Sequence, residues 1–410
     1  MAHADPAGVR HPDGLPDPSG DARAAVAPRI SRLGLITSQA FSLHNFRASL
    51  IREWVARGIH VVALAPDYDA ASRRAVAELG AEPVEFRMDR ASIRPLHDAR
   101  DLLALARLLR RLRLDATLAY FIKPVIYGTL AARFAGVGYR FAMIEGAGYV
   151  FSESGSVAPG SSRWLRRAVT LMYRTALRGA DTVFFLNADD VELFLEQRMV
   201  APGQAVLLGG IGVELDHFAA APPVLTPVTF LLAARLLAHK GVYQFVEAAR
   251  RIRGQHPGVR FVLLGSPDLN PASVSERQLR DWHAEGVVEW QAHVSDVRPW
   301  LAQASVFVLP SWYREGVPRG IQEAMAMGRP VVTTDMPGCR DTVEQGVNGF
   351  LVPPRDTDAL VSVLNRFISE PELVVEMGRA SRERAEALFD ARRANRLLLR
   401  SMGFEQDAAS

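Results

Sequence analysis

Short apolar runs alternate with amphipathic helical patterns along most of this chain, and the alternation occurs twice, on either side of a proline-rich break. In the first series the runs fall at 33–37, 59–65, 115–120, 140–144, 181–186 and 205–208, with helical periodicity over 45–56, 99–113, 124–134, 162–178 and 189–197. Strands that alternate with helices in this way predict a parallel, doubly wound sheet. The break, Ala-Pro-Pro-Val-Leu-Thr-Pro over 221–227, reads as a linker. Beyond it a second series places strands at 228–234, 260–264, 287–290, 305–309 and 330–333, again with helices between them. A chain of 410 residues is longer than one hydrophobic core usually serves, so two α/β domains are expected.

The rest of the composition narrows the class. The first 27 residues are rich in Pro, Asp, Ala and Gly and lack the apolar centre of a signal peptide, which predicts a disordered tail. No run of about 18 apolar residues occurs, so no membrane span is expected. One cysteine, Cys339, excludes an internal disulfide framework and fits a reducing cytoplasm. The net charge of +3 is small and no recognition motif for nucleic acid is present, so nucleic acid is not an expected partner. The front half carries the excess of positive charge. Of 48 basic residues two are lysines, Lys123 and Lys240; chance can leave two lysines anywhere, but both fall inside motifs, which suggests positions where a compact ammonium suits better than a planar guanidinium.

The stretch 311–356 holds two glutamates with seven residues between them, Glu315 and Glu323. A helix is predicted from near Pro318, whose missing N–H suits a first turn, to Gly328. Glu315 then lies in the strand-to-helix loop at the carboxyl edge of a parallel sheet, where such sheets bind ligands, and Glu323 lies inside the helix. A carboxylate beside the N–H groups of a helix start suits a sugar attached to a diphosphate. The carboxylate accepts from sugar hydroxyls, and the helix end and its amides, with Gly316 and Val317 in the loop, meet the anion. Glu323 can reach a second diol such as a ribose. Taken alone, the pair also fits two surface glutamates that cap and solvate a helix. Arg235 and Lys240 follow the first strand of the second series, where two cations ahead of a helix can neutralise a diphosphate and stabilise it as a leaving group. A solvated basic loop is the plainer reading.

The segment 311–356, with its continuation Pro-Val-Val-Thr-Thr-Asp-Met-Pro-Gly, resembles the E-x7-E signature of family 4 glycosyltransferases. Within that family HNFRASLIREW, DRASIRP, YRFAMIEGAGYVF and LLGGIGVELDHF look similar to the transferases that extend sugars on a polyprenyl diphosphate carrier, the N-acetylgalactosamine transferases of bacterial N-glycosylation especially. The resemblance covers about residues 30–400 and implies the GT-B fold, two Rossmann-like doubly wound domains facing a central cleft. The implied parts are an acceptor domain over 28–220, a nucleotide-sugar domain over 221–387 and a C-terminal helix over 388–410 that returns toward the first domain. It further implies that Arg235 and Lys240 bind the nucleotide diphosphate and that the loops holding Gly265 and Val294 contact ribose and base. Retention of anomeric configuration, a UDP-sugar donor and a lipid-linked glycan acceptor follow from the same resemblance. The expected location is the inner face of the cytoplasmic membrane.

Candidates for the acceptor side lie in the first half. His44, Asn45 and Arg47 stand in the first turns of the helix after strand one, in a loop that lacks the Gly-Gly pair many family members carry. Lys123 follows the apolar run 115–120 and is a candidate for acceptor phosphate, or a surface residue. Glu145 follows the next, where it can orient or deprotonate an acceptor hydroxyl, or make a structural hydrogen bond. In the helix 162–178, Arg163, Arg167, Arg174 and Arg178 fall within about 60° of one another, and Arg100, Arg107 and Arg111 line up similarly. Such faces suit an anionic membrane surface, though charged helix faces are also simply solvated. Asp67-Tyr-Asp69 and Asp356-Thr-Asp358 mimic a metal-binding D-x-D, but the second begins a helix and the first lies in the wrong architecture. No catalytic metal and no cofactor are expected, Arg235, Lys240 and the helix N-terminus taking the metal's place. The competing readings are a UDP-sugar 2-epimerase of the same fold and a non-catalytic scaffold in a polysaccharide assembly complex.

Overall fold

A computed structural model describes residues 30–89, 95–151, 161–268 and 270–404. The 27-residue tail and residues 90–94 of the DRASIRP segment lie outside the described residues. The chain divides into two compact units, Met1–Ile211 with Arg392–Ser410, and Gly212–Ala391.

The first unit is built on seven parallel strands: β1 (Arg32–Ile36), β2 (His60–Ala65), β3 (Glu82–Glu85), β4 (Ala116–Tyr120), β5 (Tyr139–Ile144), β6 (Thr182–Phe185) and β7 (Ala205–Leu207). Their order is β3-β2-β1-β4-β5-β6-β7. Ile36 pairs with Leu64 on one side and Ala119 on the other, so β1, β2 and β4 end level. The chain leaves β1 toward β2 and leaves β4 toward β5, in opposite directions, which opens a crevice at that edge. Right-handed crossovers then put α1 (Ala40–Phe46), α2 (Ala48–Ala56) and α3 (Ala70–Glu78) on one face of the sheet. The other face carries α4 (Pro95–Leu112), α5 (Thr129–Ala135), α6 (Ser161–Leu177) and α7 (Ala188–Glu196), with α4 packed on α5.

Three local features depart from the sequence expectation. The helix predicted over 45–56 is two helices, α1 and α2, broken at Arg47, whose backbone leaves helical geometry (φ −123°, ψ 7°) as its side chain turns inward. A π turn, Pro124–Gly128, precedes α5 where one continuous helix is predicted. Strand β3, Glu-Pro-Val-Glu, and helix α3 lack the apolar runs that mark the other elements. β3 sits at the sheet edge, where proline and charge are tolerated.

The second unit holds six parallel strands: β8 (Thr229–Ala233), β9 (Arg260–Leu264), β10 (Glu289–Gln291), β11 (Val306–Leu309), β12 (Val331–Thr334) and β13 (Gly349–Val352), in the order β10-β9-β8-β11-β12-β13. Its helices are α8 (Val242–Gln255), α9 (Glu276–Ala284), α10 (Arg298–Ala302), α11 (Arg319–Ala326), α12 (Thr357–Ser369) and α13 (Glu372–Leu388). Phe230, Phe245, Phe261, Leu364 and Phe367 fill its core. The proline-rich segment is fastened by Arg329. This fully buried guanidinium donates to the carbonyls of Ala221 (2.6 Å), Pro222 (2.8 Å), Ala304 (2.9 Å) and Met327 (3.2 Å). The last helix, α14 (Ala391–Ser401), buries Leu398 and Leu399, and Asn395 Nδ2 donates to Ser49 Oγ at 3.2 Å. Among the described residues, no helix is long and apolar enough to cross a membrane.

Candidate functional site

In the second unit the direction of the chain reverses between β8 and β11, which pair through Val306↔Phe230 and Phe307↔Leu231. Arg235 follows β8, and a tight 3-10 turn, Ala238–Lys240, leads into α8. Gly241 holds φ +78°, and a Cβ there would lie 2.1 Å from the carbonyl oxygen of Pro310. Glycine thus lets this turn lie on the end of β11. The consequence is that Lys240 Nζ stands 2.5 Å from Glu315 Oε1, in side chains 12% and 11% exposed. Ser311 Oγ lies 2.9 Å from the same carboxylate oxygen. Behind the loop, Gly338 (φ +77°) lies so close that a Cβ would meet Gly316 O at 1.9 Å. The Glu315–Gly316 backbone is therefore backed by the chain itself and fixed in place.

Aromatic rings flank this pair. Burial, reinforced by the charge of Lys240, lowers His239 to about 4 against the pull of Glu315, so its imidazole is neutral. It stacks on Tyr313 at 4.6 Å between ring centres, and the guanidinium of Arg355 lies 4.0 Å from the centre of the Trp312 ring. The buried Cys339 thiol is pushed up to about 12 by burial and by Glu315, so it is no thiolate nucleophile. Arg235 is more open, its side chain 55% exposed and 3.5 Å from Asp268. Glu323 lies within α11 and accepts from Arg319 Nε at 2.8 Å; burial raises its pKa and Arg319 opposes the rise. Val317 is buried and its carbonyl accepts from Gln322 at 3.0 Å. Gly265 and Val294 stand at the ends of β9 and β10, where His293 N donates to Ser266 Oγ at 2.9 Å and joins the two loops.

The first unit holds a separate constellation at its own crevice. Arg47, 2% exposed, is ion-paired with Glu145 and lies over the Tyr120 ring at 4.6 Å. The fully buried Tyr120 hydroxyl meets Ser42 Oγ at 2.7 Å, which in turn meets Thr37 Oγ1 at 3.1 Å. The loop carrying Glu145 is anchored from below. Asp190, fully buried, accepts from Ala147 N at 3.1 Å and from Asn187 Nδ2 at 3.0 Å. Asn45 bonds back to Phe41 O within its own helix, and burial holds the His44 imidazole below its ordinary value. Lys123 is engaged with Asp98 Oδ1 at 3.3 Å and Asp89 O at 2.6 Å. Arg47 and Glu145 are thus brought together, while Lys123 has other partners.

Sequence reasoning passed over Ser311, His239, Tyr120 and Asp190. The first two adjoin singled-out residues and could have been taken with them. Nothing in Asn-Ala-Asp-Asp marks Asp190 as the support of a distant loop. The two D-x-D segments serve helix starts: Asp67 accepts from Ala40 N at 2.7 Å, Asp69 from Ser72 N at 2.7 Å and Asp356 from Ala359 N at 2.8 Å, at the starts of α1, α3 and α12. Among the described residues no group of three or more His, Cys, Asp or Glu is arranged to hold a metal ion.

Two parallel α/β units, each with a crevice at a reversal of strand order, define a protein of the GT-B class. Residues 227–370 match the family profile "Glycosyl transferases group 1", and residues 44–210 match "Glycosyl transferase 4-like domain". The putative colanic acid biosynthesis glycosyltransferase WcaL of Escherichia coli is 30% identical over 307 residues, 70% of this chain and 73% of that protein. The N,N'-diacetylbacillosaminyl-diphospho-undecaprenol alpha-1,3-N-acetylgalactosaminyltransferase of Campylobacter jejuni is 26% identical over 365 residues, 85% of this chain and 92% of the relative. Among solved structures, Anabaena HepE in complex with UDP and glucose superposes with a TM-score of 0.72 at 17% identity, over 91% of this chain and 99% of that one. The chain belongs to the family 4 glycosyltransferases and has their GT-B fold.

Proposed function

We propose that this enzyme is a retaining, metal-independent transferase that moves an N-acetylhexosamine or hexose from a UDP-sugar to a polyprenyl-diphosphate-linked glycan, in surface polysaccharide or glycoconjugate assembly. The observation that carries the reading is the Lys240–Glu315 pair at the reversal point of the second unit. An ammonium and a carboxylate held together there suit a ligand that brings both a diphosphate and a hydroxylated sugar. The phosphates take Lys240 and the more open Arg235, and sugar hydroxyls donate to Glu315. Gly316 and Val317 contribute backbone to the same anion, Gly265 and Val294 line the nucleoside, and Glu323 takes a diol. The catalytic set is Glu315, Lys240, Arg235 and Glu145. Most of the rate then comes from positioning and from stabilising the UDP leaving group.

The first unit is assigned the acceptor, with His44, Asn45, Arg47, Lys123 and Glu145 as its candidates. Glu145 is held by Arg47 in an orientation that can direct an acceptor hydroxyl. The name of the Campylobacter relative supports a lipid-linked acceptor, and a lipid-linked acceptor calls for residence at the inner face of the cytoplasmic membrane. A panel of UDP-sugars screened by thermal shift, followed by incubation of the stabilising donor with lipid-linked acceptors, tests the proposal. Transfer that requires the acceptor is expected. Release of an epimerised UDP-sugar in the absence of lipid would replace this reading with a 2-epimerase, and absence of both products would favour a scaffold.

A further inference from the structure

On the outer side of α6 a cavity of about 450 Å³ is lined by Arg163, Arg166, Arg167 and Arg174, together with Leu171 and Gln197. Residues 161–178 contain no aspartate or glutamate, so these cations have no counter-ion from their own helix. Arg174 is tied down, donating to Gln197 O at 2.6 Å, and Arg166 lies 5.6 Å from the centre of the Phe151 ring. Arg167 lies 5.7 Å from the centre of the Trp164 ring. Beside the arginine stripe stand two large apolar side chains, Trp164 at 73% and Leu171 at 60% exposure, seven residues apart and so on one helix face. Four guanidiniums around one cavity repel each other until an anion enters, and the fork of each matches phosphate oxygens. An indole and a leucine left in water next to them match an interface that is wet on one side and apolar on the other.

We propose that this cavity binds the phosphate headgroup of an anionic phospholipid, with Trp164 and Leu171 entering the acyl boundary beside it. The site thereby seats the first unit on the bilayer through the helical face that carries α4, α5 and α6. Arg100, Leu103, Arg107 and Arg111 of α4 are also exposed on that unit and extend the positive surface. The inference rests on the membrane-borne acceptor proposed above for its purpose, but not for its chemistry.

The test is co-sedimentation of the full chain with phosphatidylcholine vesicles, with and without phosphatidylglycerol, in the absence of UDP-sugar and acceptor. Binding is expected with phosphatidylglycerol alone. Arg163→Gln/Arg167→Gln should weaken it by about tenfold or more, as expected for removing two arginines at an anionic surface. Arg52→Gln/Arg74→Gln removes the same charge from exposed positions on α2 and α3, on the opposite face of the sheet, and should change binding little. Trp164→Ser, which leaves the charge intact, should also weaken binding, and thermal melts of all variants separate binding loss from unfolding. Equal losses in the two double variants would reduce the effect to diffuse attraction and overturn the site. So would stabilisation by inorganic phosphate, lost in Arg163→Gln/Arg167→Gln, without vesicle binding, since that marks a soluble ligand. Because neither substrate is present, vesicle binding can fail while the transferase reading stands, and the reverse.

Discussion

Lys240 and Glu315 are both largely removed from water, and a buried ion pair of this kind contributes little net stability while a lone member of it is costly. Their persistence at a strand-order reversal is therefore better explained by a ligand than by folding. The same logic applies to Arg47 and Glu145. Glu145→Gln should take a carboxylate away from this buried guanidinium and lower stability by about 3 kcal/mol. The double variant Arg47→Gln/Glu145→Gln should be less damaging than the sum of the singles, read from urea midpoints, and strict additivity would show that the two do not interact. His239 gives a pH signature. Its folded value, about 4, lies below the ordinary 6.5, so the unfolded chain takes up the proton first as pH falls. The stability it supplies is complete above 6.5 and is lost progressively as pH falls toward 4. The wild-type Tm should accordingly drop more across that window than the Tm of His239→Gln; parallel curves would place the titration elsewhere.

At the scale of elements, the turns that carry the site are held by backbone fit. Gly338→Ala would force a Cβ against Gly316 O at a left-handed φ, so it should displace the Glu315 loop and cost about 1–3 kcal/mol. A wild-type melting temperature together with full transfer activity would count against that role. Arg329→Met removes a cation that serves four carbonyls, stranding buried acceptors and loosening the proline-rich segment from β11 and α11. A loss of about 3 kcal/mol with an unchanged denaturant slope is expected. Much of the element order was legible in the sequence, because strands such as Phe-Leu-Leu-Ala and Val-Phe-Val-Leu are apolar throughout and bracketed by turns. The break at Arg47 was not, since it serves Glu145 in the loop after a distant strand. Nor was β3, which owes its strand state to β2 beside it. The spacing of Arg235 and Lys240 placed both at a strand end, but the meeting of Lys240 with Glu315 follows from β8 and β11 being neighbours, which local pattern does not encode.

At the scale of the whole molecule, α14 closes the first unit although it comes last in the chain. Deleting the chain from Arg392 onward removes the burial of Leu398 and Leu399 and the Asn395–Ser49 bond, so hydrogen-exchange protection should fall in α2 and be retained in β8–β13. Uniform loss in both units would contradict the division seen here. Family membership and the parallel sheets fix the class of chemistry, whereas the choice of donor and acceptor rests on loops whose side chains carry no sequence signature. Lys240 and Glu315 are proposed to act on a UDP-sugar, and the rate of sugar transfer by the full chain reads that role. Lys240→Ala and Glu315→Gln, each folded as judged by its melt, should lower kcat/KM by about 10²-fold or more, the loss expected for one key electrostatic contact. Turnover near that of the wild type in either variant would contradict the assignment.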